Sequence, residues 1–349
     1  MINQRFQTFV YGMACALMIG WVFYIGRDIF VPIIFSVLVV YVILGVSRLI
    51  ASIPVLGASL SPAVISVLSI LLIALGLCMV VFTILGSKDS VIAQAPRYQE
   101  SLLSAVQKVA VLLRLEAEPT WTTLRRDFLA QVSLQRVVGS ALSSASSLFA
   151  FVVIVALYAC FLLVERTNLD AKIASIAQSP QHAARIRQVI ADINSRIGAY
   201  LALKTFLGVL LGALSWIIMR YEGLEFAPFW AVMIVLLNFV PYIGSFLSVL
   251  LPAAMAIAQF GDAGHVVPLI IWLTVVQFVI GNFIDPYVMG NSLNLSPFAI
   301  LVSLAVWVAL WGVAGAFLAV PITAMLTIIF SEFPGTRAIA VLLSRSGKP

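Results

Sequence analysis

The chain is short of charge. Of its 349 residues only 10% are Asp, Glu, Lys or Arg, and 62% are hydrophobic. Soluble globular chains average about 25% and roughly 45–50%. So few charges exclude a soluble fold, because nothing would keep this much apolar surface in water, and a mean hydropathy of +1.12 agrees. The medium around most of the chain is a lipid bilayer. Cysteine and histidine are scarce as well. Cys15, Cys78 and Cys160 lie inside apolar runs without metal-ligand spacing, so they read as small buried apolar residues with no disulfide framework. His182 and His265 fall in loops without a partner pattern, which speaks against a metal site.

Missing motifs narrow the class further. There is no GxxxxGK[ST] loop to cradle nucleotide phosphates, so this chain alone is not an ATP-driven pump. Without HExxH or GxSxG, intramembrane hydrolysis has no support. Regularly spaced voltage-sensing arginines and a TVGYG filter are also lacking. The expectation is a non-enzyme with no cofactor. The net charge of +6 reports membrane topology through its placement in short loops, and no nucleic-acid partner is expected.

Long apolar runs are what the chain does have. A stretch of about twenty apolar residues crosses the hydrocarbon as a helix, because its backbone must satisfy its own hydrogen bonds there. Runs 9–26, 29–47, 62–86, 148–164, 199–219 and 266–284 fit, the first read as an uncleaved span. Stretches 227–260 and 298–332 are too long for one straight span, short for two, and carry Pro and Gly near their middles. Each reads as a helical hairpin. Counting basic residues with the N-terminus inside puts eleven on the cytoplasmic side and two in the short outside loops, so both termini are expected in the cytoplasm.

The predicted organisation has six segments. Residues 1–86 hold N-terminal membrane helices for scaffold or oligomer contact, 87–147 an outside helical cap, and 148–198 the fourth span with a cytoplasmic interfacial helix. Residues 199–260 and 261–335 form two transport repeats of one span plus one hairpin, and 336–349 a cytoplasmic tail. In the cap, helices are expected over 98–113 and around 121–138. The inner helix puts Ile186, Val189, Ile190, Ile193, Ile197 and Tyr200 on one face, with Arg185, Arg187 and Arg196 off it, as a helix lying on anionic headgroups does. The repeat rests on an offset of 69 residues, which lays Pro228-Phe229 on Pro297-Phe298 and Pro252 on Pro321. One span per unit reverses direction, which makes the repeat inverted. Broken helices at membrane depth are tolerated where they are buried or line a polar cavity, as in alternating-access transporters.

Polar residues inside apolar spans are costly and thus candidate sites. These are Gln277, Asn282 and Asp285 along the 266–284 span and its end, and Asn238 at the first hairpin break. Asn282 and Asp285, three apart, share a face of a regular helix. Pro286 should end or kink that helix. Asp285 is either a proton or cation carrier or a solvated boundary residue. Pro241, Gly244, Gly312 and Gly315 form the hairpin breaks, where ligand approach and tight helix packing are both open. Gly208 and Gly212 make a GxxxG packing stripe, and Lys204 can snorkel to the cytoplasm.

The segments "NFVPYIGSFLSVLLP" (238–252), "GNFIDPYVMGNSLNLSPF" (281–298) and "WGVAGAFLAVPIT" (311–323) together resemble the autoinducer-2 exporter (AI-2E) family of bacterial membrane proteins. The runs and hairpins above make an all-α polytopic protein with about six full transmembrane helices plus two broken-helix hairpins in an inverted-topology repeat, and the span order fits that family. The resemblance implies a homo-oligomer in the bacterial inner membrane, a pentamer by resemblance, exporting a small solute such as autoinducer-2 by an elevator-like movement. Some members are linked to sodium/proton exchange instead, so a cation is the alternative substrate. Asn238, Pro241, Gly244, Asn282, Asp285, Pro286, Gly290, Gly312, Gly315 and Pro321 fall on its motif positions. Ile280 stands where many members carry Glu, which leaves Asp285 without a second carboxylate, and Val313 stands where Pro often follows Trp-Gly. A non-transporting scaffold acting through the cap is the remaining alternative.

Overall fold

The computed structural model describes residues 4–53, 59–112, 134–289 and 293–347, with side chains for 10–53, 59–87, 93–94, 147–288 and 293–347. These residues are helical almost throughout. In chain order they form α1 (Gln4–Ile25), α2 (Arg27–Ser52), α3 (Pro62–Leu112), α4 (Leu134–Glu165), α5 (Leu169–Ile176), α6 (Pro180–Tyr221), α7 (Ala227–Leu237) and α8 (Ile243–Phe260). There follow α9 (Ala263–Val279), a π-helical turn (Ile280–Ile284), α10 (Asp285–Met289), α11 (Pro297–Glu332) and α12 (Arg337–Leu343). Among the described residues seven helices are long and apolar enough to cross a membrane. The all-α polytopic expectation holds, and both long stretches are broken helices.

The chain divides into two compact units. The first contains residues 1–69, 153–202 and 291–349. Here α11 packs on α1, α2 and α12, and Ile197, Leu201, Leu318 and Ala319 are sealed from solvent. The second contains residues 70–152 and 203–290. Here α8 packs between α7 and α9 around Leu211, Met219, Ile234, Ala256, Leu269 and Leu273. The apolar flanks of α1, α3 and α4 stay exposed, Trp21, Phe82 and Phe161 among them.

Four expectations need correction. The interfacial helix and the fifth span are one continuous helix, α6, because Gly198 stays helical and no proline interrupts residues 181–221. Its apolar face packs on protein: Ile193, Ile197 and Tyr200 are buried, and Arg48 donates to the Asn194 carbonyl at 2.7 Å. Two of the off-face arginines are also taken by protein, Arg185 donating to the Glu332 side chain at 3.0 Å and Arg187 to Asp170 at 3.2 Å. Second, the helix expected over 98–113 is the extension of α3 to Leu112, while 113–133, including most of the one around 121–138, lies outside the described residues. Third, of the two outcomes expected at Pro286, an ended or a kinked helix, the first does not occur: a helix runs over Asp285–Met289 behind a π-turn. Fourth, all three cysteines are free and exposed on the chain's apolar surface.

Candidate functional site

The break in the first hairpin begins where α7 meets a proline. Pro241 has no N–H to donate and pushes Val240 away from helical backbone, so a regular helix cannot pass. The chain closes on itself instead. Val240 N–H reaches the Leu237 carbonyl at 2.9 Å, and Ile243 N–H reaches the Pro241 carbonyl at 2.6 Å. Tyr242 between them has φ 60° and ψ −59°, the strained γ-turn of positive φ. A tyrosine held there marks a place where the fold tolerates strain, and such places concentrate at functional sites. Gly244, in the first turn of α8, lies directly on the Leu237 carbonyl, so any side chain would overlap that backbone.

One face of α6 organises what surrounds the break. Lys204, Gly208 and Gly212 are four apart, hence stacked one turn above the next. A Cβ on Gly212 would run into Val235 and the Ala231 carbonyl, so the GxxxG stripe seats α7. At Gly208 the neighbour is Asn238, whose Nδ2 lies 3.2 Å from where that Cβ would be. At Lys204 the neighbour is Asp285, with Nζ 2.7 Å from Oδ2 and the two side chains 12% and 20% exposed. Asn238 and Asp285 therefore approach one helix face about one turn, roughly 6 Å, apart along it. Both lie within the second unit.

The π-turn puts Asp285 in that position. Its N–H bonds the Ile280 carbonyl, five residues back, and α10 then continues through Pro286. The wider turn absorbs the donor that proline lacks, which is why the helix survives. It also changes the phase along the helix. Asn282 is exposed and donates to the Phe278 carbonyl at 3.2 Å, while Asp285 goes to Lys204. Gln277 is half-buried, its Nε2 beside Gly281.

The second hairpin, in the first unit, breaks at Gly312, whose φ 60° and ψ −136° are open to glycine and costly for other residues. Gly315 lies on the Trp307 carbonyl as Gly244 lies on Leu237. Both indoles near this break are satisfied: Trp307 Nε1 donates to Thr323 Oγ1 at 3.2 Å, and Trp311 Nε1 to the Phe23 carbonyl at 2.9 Å. Phe23, Phe30, Trp307 and Trp311 form one run of aromatic contacts around it.

Of the candidates named above, the fold brings Asn238, Pro241, Gly244 and Asp285 into one unit around α6, with Gln277 and Asn282 further along the α9 segment. Pro252 is buried within α8 and Pro321 within α11, each continuing its helix. Gly290 lies outside the described residues. Sequence reasoning treated Lys204 as a snorkelling residue, though an opposite charge in another apolar span was the available signal. Tyr242 carried no signal beyond its place after Pro241. Among the described residues no group of His, Cys, Asp and Glu could hold a metal ion.

Broken apolar helices, a strained break and an ion pair between two membrane-spanning segments define a polytopic membrane transporter. The family model described as AI-2E family transporter matches residues 13–335, and the chain belongs to that family. Its relatives include YhhT of Escherichia coli (strain K12), provisionally named a transport protein, 29% identical over 84% of this chain and 82% of that one. TqsA of the same strain, named an AI-2 transport protein, is 26% identical over 82% of this chain and 83% of its own length. A Haemophilus influenzae protein, also provisionally named for transport, is 26% identical over 98% and 97% of the two chains.

Proposed function

We propose that the chain is a secondary transporter exporting a small polar organic solute, such as autoinducer-2, from the bacterial cytoplasm. It sits in the inner membrane with both termini cytoplasmic and works as a homo-oligomer, a pentamer by family resemblance. An elevator-like alternating-access cycle, coupled to an ion, moves the solute. The observation that carries this reading is the Lys204–Asp285 pair inside apolar spans. Ionised groups within apolar spans are expensive and are kept where they serve a pathway. A proton on Asp285 cancels the attraction and releases Lys204, which gives the cycle two states that a proton can select. The similarity to TqsA supports autoinducer-2 as the solute to try first.

A sodium/proton antiporter is the rival use of the same carboxylate. Asp285 already holds an ammonium and has Ile280 where a second acid would stand, so a cation would have to displace Lys204. The test is efflux of autoinducer-2 from proteoliposomes containing the purified chain, with a pH dye in parallel. Solute efflux supports the exporter. A sodium-driven pH change without solute movement assigns the antiporter, and no response in either channel favours a scaffold.

A further inference from the structure

Buried polar side chains nearly always have partners, and exceptions call for an explanation. Among the described residues the buried side-chain atoms without a hydrogen-bond partner are Trp230 Nε1, Asn238 Nδ2 and Ser248 Oγ. All three belong to the first hairpin. The second hairpin contrasts with it, since Trp307 and Trp311 both donate. Other buried helical serines also differ from Ser248: Ser69 bonds back to Ile65 at 2.8 Å and Ser303 to Ile300 at 2.9 Å. Asn238 is only 8% exposed and Ser248 only 2%. They flank the strained γ-turn at Tyr242, on either side of the break.

We infer that the first hairpin binds the cargo, and that Asn238 Nδ2 and Ser248 Oγ are kept for oxygen acceptors on it. In the described conformation the Asn238 amide rests on the bare backbone face of Gly208, and Nδ2 makes no hydrogen bond there. Lifting the hairpin tip from α6 presents the amide to the solute. Lys204, one turn away on the same face, adds further N–H donors. The cargo is therefore rich in hydroxyl, carbonyl or ether oxygens. Leaving donors unpaired in one state lowers the cost of leaving that state, a property suited to a moving hairpin. The inference rests on the transport reading above.

Gly208→Ser tests it by placing a hydroxyl acceptor beside Nδ2, and Asn238→Leu by deleting the amide. Both variants are expected to melt higher than wild type in lipid nanodiscs and to export autoinducer-2 about tenfold more slowly, a factor equal to one hydrogen bond. Gly208→Ser should also slow backbone hydrogen exchange at 239–244. An asparagine needed only for packing gives the opposite sign, a lower melting temperature with export largely kept, and that result overturns the inference. So does unchanged exchange at the tip in Gly208→Ser; if that variant fails to fold, retained export in Asn238→Leu overturns it alone. Absence of autoinducer-2 efflux in wild type would sink the exporter reading, and exchange at the tip would still decide this one.

Discussion

Lys204 and Asp285, 81 positions apart in the chain, meet with Nζ 2.7 Å from Oδ2. One stands in the second half of α6 and the other starts α10. Their meeting brings the start of the fifth span beside the end of the sixth. The pair cancels its own charge, so neither ion faces the low-dielectric surroundings alone.

Breaking the pair from one side leaves an uncompensated charge. Lys204→Met and Asp285→Asn are each expected to lose about 2 kcal/mol, less than a fully buried pair because both groups keep some exposure. The double variant should recover most of the loss. Thermal unfolding of the four proteins in nanodiscs gives the coupling directly, and additive losses would deny that the contact matters to stability.

Gly244 and Gly315 each lie on a carbonyl of the preceding half-helix, Leu237 and Trp307. Alanine at either position must push the two halves apart, at a cost of about 1–3 kcal/mol. Gly76→Ala is the control, since nothing lies within 4 Å of its Cβ position. That change should be neutral or stabilising by about 1 kcal/mol. Equal melting temperatures for Gly244→Ala and Gly76→Ala would contradict the close approach.

Trp311 ties the second hairpin to α1 by donating to the Phe23 carbonyl. Trp311→Phe keeps the aromatic contacts and removes that bond, so it should cost about 1 kcal/mol. Hydrogen exchange in the last turn of α1 should rise with it, and unchanged exchange would show that the bond does not anchor α1.

Asp262 caps α9, accepting from the His265 backbone N–H at 3.1 Å. Hydrogen bonds from the His265 side chain and backbone hold its carboxyl below the ordinary value of 3.8. Its stabilising contribution is thus present above that ordinary value and is lost as pH falls through the lowered one. Asp262→Ala should melt below wild type at neutral pH, and the two curves should converge only once pH has fallen below that lowered value. A gap that persists in acid would assign the effect to something other than the carboxylate.

The sequence was legible where a single residue type forces the backbone. Pro241, Gly244, Gly312 and Gly315 announced the breaks because proline removes a donor and glycine admits close or left-handed backbone. It was less legible where the outcome depends on a partner. Nothing local tells Lys204 that it faces Asp285 rather than the cytoplasm, and spacing in a regular helix put Asn282 beside Asp285 until a π-turn shifted the phase. The face of Ile193, Ile197 and Tyr200 on α6 was readable as apolar, but not as covered by protein instead of lipid. Such amphipathic patterns report that a face is hidden and are silent on what hides it.

The central claim is that Asp285 couples a proton to solute export. Its most direct test is autoinducer-2 efflux from proteoliposomes under imposed proton gradients of either sign, with wild type and Asp285→Asn compared and internal pH followed together. The account predicts that wild-type efflux responds to the gradient and that the Asp285→Asn variant, whose side chain cannot take a proton, loses that response. Efflux in Asp285→Asn that follows the proton gradient as wild type does would contradict it.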